Sequence, residues 1–85
     1  MSDSSTAKEL RAAGLRVTAP RHAVLDWLDD NRHSTAEEVF DGARERLGSV
    51  SMQAIYDVLA VCVEAGLIRR IDLAGHAARF ERRTG

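Results

Sequence analysis

Residues 51–71 read SMQAIYDVLAVCVEAGLIRRI, and a change of period inside this stretch decides the fold. Ser51 is a helix-capping residue type, because its hydroxyl oxygen can accept from an orphan backbone N–H two or three residues on. Gly66 stands where a helix stops in a left-handed residue. Between them Ile55, Leu59, Cys62 and Val63 share one helical face, while Gln53, Asp57, Ala60 and Glu64 recur at intervals of four, three and four on another, which should be exposed. Tyr56 lies between the two faces, near the helix start. After Gly66 the apolar period falls from about 3.6 to about 2, so 67–71 and 77–81 read as strands joined by a turn containing Gly75. Two strands alone are marginal in water, and this hairpin must lean on the helices, through Ile71 and Phe80.

Upstream, the same logic yields three more helices. Thr6 can cap a first one over 7–13, with Gly14 at its end and residues 1–5 a frayed terminus. Thr18 caps a second, with Pro20 tolerated in its first turn, an apolar side of Val24, Leu25, Trp27 and Leu28, and a stop at Asp29, Asp30 and Asn31. Thr35 to Glu38 form a capping box, and Ala36, Val39, Phe40, Ala43 and Leu47 then make one helical stripe that Gly48 closes. Four helices followed by a hairpin is a winged helix-turn-helix. The expectation is a mainly α fold, one domain over residues 1–85, with a two-stranded β wing.

Composition sets the bounds. Eighty-five residues, 45% hydrophobic and 29% charged, suit one small globular domain and no interdomain cleft. The single cysteine permits no internal disulfide, and with no basic segment leading into an apolar run the expected location is a reducing cytoplasm. The longest nearly apolar run, 58–65, falls far short of the roughly 20 residues a bilayer crossing needs. Net charge is −1, but it is unevenly spread: residues 1–25 carry four bases against two acids, 26–64 three against nine, and 65–85 five against two. Basic ends around an acidic middle can still form one basic face if the fold joins them.

In such a fold the N-terminal turns of the fourth helix can enter the major groove, with Ser51, Gln53 and Tyr56 at the contact. Gln53 can pair bidentately with adenine and Tyr56 can lay its ring on a thymine methyl. Taken alone, Gln53 reads equally as a solvated residue and Tyr56 as half-buried filler. Arg16 and Arg21 flank the second helix start, while Arg69, Arg70, Arg79, Arg82 and Arg83 decorate the hairpin, either as contacts to phosphates and a narrow minor groove or as solvated surface. Asp57 opposes phosphate; it can help by accepting from a cytosine amino group, or pair with an arginine. His22, His33 and His76 show no metal-ligand spacing, and Cys62 reads as a buried hydrophobe. With no nucleophile–base pattern, Gly-rich phosphate loop or paired carboxylates, neither an enzyme nor a small-molecule substrate is expected.

The strings LRAAGLRVTAPR at 10–21, HSTAEEVF at 33–40, VSMQAIYDVL at 50–59 and EAGLIRR at 64–70 resemble the ferric uptake regulator family, in order and over nearly the whole chain. The resemblance implies the DNA-binding domain of a metal- or redox-responsive repressor that reads an A/T-rich inverted repeat. It matches Arg16 to a minor-groove residue and Tyr56 to a major-groove one. It departs at Asp57, where the family usually has arginine, and 53–59 is closer to the actinobacterial branch that represses catalase-peroxidase genes in response to peroxide. It also matches His33 and Glu81 to two ligands of a regulatory divalent ion, iron, zinc or manganese. The remaining ligands and the dimerisation domain would follow Gly85, so no bound metal is expected in this stretch, and a homodimer only with that further domain. The partner expected is double-stranded DNA. The alternatives are a winged-helix module that binds protein through the acidic middle without touching DNA, and a free-standing metal sensor.

Overall fold

The computed structural model describes residues 2–83. In chain order these form α1 (Ser2–Ala12), α2 (Ala19–Asp30), β1 (Ser34–Thr35), α3 (Ala36–Leu47), α4 (Met52–Glu64), β2 (Ile68–Ile71) and β3 (Arg79–Arg82). The fold is a winged helix.

The caps sit where the residue types place them. The Thr18 hydroxyl accepts from the Arg21 N–H, and Ser51 Oγ accepts from the Ala54 N–H at 3.0 Å. At α3 the capping box is complete: Thr35 Oγ1 accepts from the Glu38 N–H, and Glu38 Oε1 accepts from the Thr35 N–H. These contacts satisfy amides that would otherwise have no partner at each helix start. Gly66, at φ +81°, lets the Leu67 N–H return to the Cys62 carbonyl and turns the chain straight from α4 into β2.

The helices α3 and α4 meet at 109°, within the roughly 90–120° of helix-turn-helix units. Their shared core holds Leu25, Leu28, Val39, Ala43, Ile55, Leu59 and Cys62, all 2% exposed or less. Gly42 is needed where α3 crosses α2: a Cβ there would lie 2.1 Å from the Trp27 indole nitrogen. No single helix among the described residues is long and apolar enough to cross a membrane.

Three expectations change. The first helix begins at Ser2, upstream of the Thr6 expected to cap it; Thr6 lies inside α1, 3% exposed, donating to Asp26 of α2, while Met1 lies outside the described residues. A threonine hydroxyl that looks like a cap in sequence is here a tie between helices. The sheet has three strands in the order β1-β3-β2, all antiparallel, not two: Ser34 and Thr35 pair with Phe80 and Arg79 before α3 starts. A two-residue strand has no period for sequence to display. The hairpin is anchored by Ile68 and Phe80, at 1% and 6% exposed, while Ile71 is only half-buried. Ile68, paired to Arg82 at the base of the hairpin, belongs with Phe80 to the buried core.

Candidate nucleic-acid interface

Ser51, itself exposed, caps the amino end of α4. On its first turns Gln53, Tyr56 and Asp57 are exposed, Tyr56 at 49%, and Ala60 and Glu64 continue the same open face. The opposite face, with Ile55, Val58, Leu59 and Cys62, is buried. Gln53 Nε2 donates to Asp57 Oδ1 at 3.0 Å, so the partner of Asp57 is one turn away on its own helix rather than an arginine.

A groove of about 1020 Å³ runs between this face, the start of α3 and the wing. Leu59, Val63, Ala78 and Phe80 give it an apolar floor, and Glu37, Asp57 and Glu64 stand around it with Arg70. That arginine is held by Asp72 at 3.0 and 3.2 Å.

The loop between α1 and α2 carries the basic pair. Arg16 is exposed; its carbonyl accepts from Arg21 Nη1 at 2.9 Å, and separately its guanidinium has no protein partner among the described residues.

Of the hairpin arginines, Arg69, Arg70, Arg79 and Arg83 are exposed as the sequence reading has them, and Arg82 is not. Arg79 Nη1 donates to the His33 carbonyl at 2.8 Å and lies 3.8 Å from Glu38. Arg69 reaches Glu81 at 3.5 Å. Arg82 does not decorate the surface: its side chain is 6% exposed, enclosed by Glu9 of α1 and Asp29 of α2. Strand alternation explains this, since Arg82 follows Glu81 and must face the opposite side of β3. Desolvation pushes the Asp29 carboxyl above its ordinary range; Arg82 draws it partly back, and Glu9, Asp26 and Asp30 add to the rise. The sequence has no signal for this cluster, which joins positions 9, 29 and 82.

His33 and Glu81 are brought together. His33 has a positive φ of 58°, uncommon for a residue with a side chain, and its Nε2 lies 2.7 Å from Glu81 Oε1. The contact is close but not aligned as a hydrogen bond, and the buried Glu81 Oε1 has no hydrogen-bond donor. An imidazole nitrogen and a carboxylate oxygen at this distance, the oxygen buried and without a hydrogen-bond donor, are of the donor types that divalent ions take, so the chemistry of the pair fits two ligands of a metal ion. Among the described residues no cluster of three or more His, Cys, Asp or Glu side chains could hold one.

The ferric uptake regulator family profile matches residues 12–85. The transcriptional regulator FurA of Mycobacterium tuberculosis is 47% identical over 79 residues, which are 93% of this chain and 54% of that protein. Among solved structures, the ferric uptake regulator of Vibrio cholerae superposes with a TM-score of 0.82 at 32% identity, over 92% of this chain and 61% of that one. The Pseudomonas aeruginosa regulator, solved with manganese, gives 0.78 at 40% identity, over 96% and 60%. The chain thus spans about half the length of the curated relatives it matches. A helix-turn-helix with this wing, matched in sequence along most of its length, places the chain in the ferric uptake regulator family.

Proposed function

We propose that this chain is the DNA-binding domain of a metal-responsive transcriptional repressor, and that α4 reads an A/T-rich inverted repeat from the major groove. The observation that carries this reading is the open amino end of α4, where Gln53 and Tyr56 are exposed and Ser51 satisfies the first turn. Gln53 supplies the paired acceptor and donor that adenine matches, and Tyr56 an aromatic face for a thymine methyl. Arg16, whose guanidinium has no protein partner among the described residues, reaches the adjacent minor groove or backbone.

His33 and Glu81 supply two ligands to a divalent ion, which when bound adds positive charge and a tie between the α2–β1 loop and β3. Two ligands are too few to retain it against water, so this domain alone binds metal weakly. One half-site likewise binds weakly, because a lone domain has none of the avidity of linked sites.

The test is a titration of A/T-rich inverted-repeat and scrambled duplexes from low to physiological salt. Affinity should fall steeply with salt on both. Tyr56→Ala should lose roughly 5-fold or more on the repeat and little on the scrambled duplex, as expected for about 1 kcal/mol of base discrimination. Equal losses on both would remove Tyr56 from base reading. The carboxylates around the α4–wing groove favour a second reading, a winged-helix module that binds protein. No shift at low salt, even for an enforced dimer, would select it.

A further inference from the structure

The proposed reading of DNA by Gln53 and Tyr56 gives the neighbouring exposed Asp57 no task, and a carboxylate there repels phosphate. Its contact with Gln53 suggests one. A carboxylate only accepts, so of the two ends of the Gln53 amide it selects the NH₂ end, and the 3.0 Å bond from Nε2 to Oδ1 fixes which way the amide is turned. One N–H is then occupied. The other N–H and Oε1 remain side by side, the pairing that adenine N7 and its N6 amino group match. An exposed glutamine without such a tie flips freely and presents either order.

The second oxygen, Asp57 Oδ2, has no protein donor among the described residues; Arg70, the arginine lining the same groove, is held by Asp72. It is a pure acceptor on the reading face. In the major groove an acceptor is satisfied only by amino groups, those of cytosine N4 and adenine N6, whereas guanine offers two acceptors, N7 and O6. Four residues of helix rise about 6 Å against about 3.4 Å per base pair, so Gln53 and Asp57 address positions up to two base pairs apart.

We propose that Asp57 is a specificity-determining residue: it orients the Gln53 amide toward adenine and itself excludes guanine from a neighbouring position. The proposal rests on the DNA-reading function above. Its test is selection from randomised duplexes at low salt, with the retained sequences counted for wild type, Asp57→Asn and Asp57→Ala. Asp57→Asn keeps an oxygen for Gln53 and adds a donor. That donor can also pair with Gln53 Oε1 and turn the amide over, so the variant should weaken the adenine preference and abolish a guanine exclusion of roughly tenfold. Asp57→Ala should relax both positions. Because Asp57 is exposed, all three proteins should melt alike, and a thermal scan checks that the comparison is between folded chains. Identical base preferences in the three proteins would overturn the role of Asp57 and leave DNA reading standing. A wild-type protein that enriches no sequence and shifts no duplex would overturn the DNA-reading function itself.

Discussion

Arginines at the two basic ends of this chain have different fates. Four of the five at the hairpin are engaged within the protein, Arg69 by Glu81, Arg70 by Asp72, Arg79 by the His33 carbonyl and Arg82 by Glu9 and Asp29, while Arg83 is exposed with no side-chain partner among the described residues. At the α1–α2 loop, Arg21 holds the Arg16 carbonyl and the Arg16 guanidinium stands open. The five bases against two acids of residues 65–85 therefore overstate what the wing can offer to a phosphate, and the smaller excess of residues 1–25 understates its loop. Charge available to a partner is what remains after internal pairing.

The sharpest way to break this comparison is Arg82→Ala. Removing a side chain that is 6% exposed leaves Glu9 and Asp29 facing each other without their cation and opens the joint between β3, α1 and α2. Both carboxylates are more than two-fifths exposed, so the loss should be smaller than the 3–5 kcal/mol of a fully buried pair. About 2 kcal/mol is expected, lowering the thermal midpoint by roughly 8–16 °C. A midpoint unchanged within a degree would show the cluster to be idle. Arg79→Ala should cost about 1 kcal/mol, the worth of one hydrogen bond, because the left-handed His33 loses the donor on its carbonyl. Its DNA affinity should change little at any salt. Arg16→Ala should show the inverse pattern, with stability within about 0.5 kcal/mol of wild type and a slope of log affinity against log salt shallower by about 1. If Arg79→Ala flattened the salt slope and Arg16→Ala did not, the wing would be the phosphate-contacting end.

How much of this was legible in the sequence follows from the range of each signal. Caps at Thr18, Thr35 and Ser51 and the turn at Gly66 are written within three or four residues, and all four appear in the structure. The exposed face of Gln53, Asp57, Ala60 and Glu64 follows from helical period alone. The period says nothing of partners in space. Thr6 pairs with Asp26 across 20 positions, Arg82 with Glu9 across 73, and Ser34 and Thr35 join the sheet only because β3 returns to them. His33 and Glu81, 48 positions apart, were linked by family resemblance and not by their spacing. The Gln53–Asp57 contact escapes for a different reason: it is local, but a glutamine–carboxylate pair at i, i+4 is one of several choices open to both side chains.

The smallest effect concerns the inner face of α4, where Cys62 is fully buried one helix-width from the exposed Asp57. Burial pushes the Cys62 thiol above its ordinary value, and the positive charges of Arg21 and Arg82 only partly draw it back. The sign follows from linkage. Below the ordinary thiol range both folded and unfolded chains hold the proton, and Cys62 adds no pH dependence. As pH rises through that range the unfolded chain ionises first, so the unfolded state gains and stability falls until the folded thiol ionises too. Wild type should therefore lose stability at alkaline pH faster than Cys62→Ala, and the gap between their urea midpoints should narrow as pH rises. A gap that stays constant from neutral to alkaline pH would mean that the thiol titrates alike in both states. Labelling by a thiol reagent should in turn follow the unfolding rate, because only the thiolate reacts and the folded chain keeps both the proton and the sulfur out of reach.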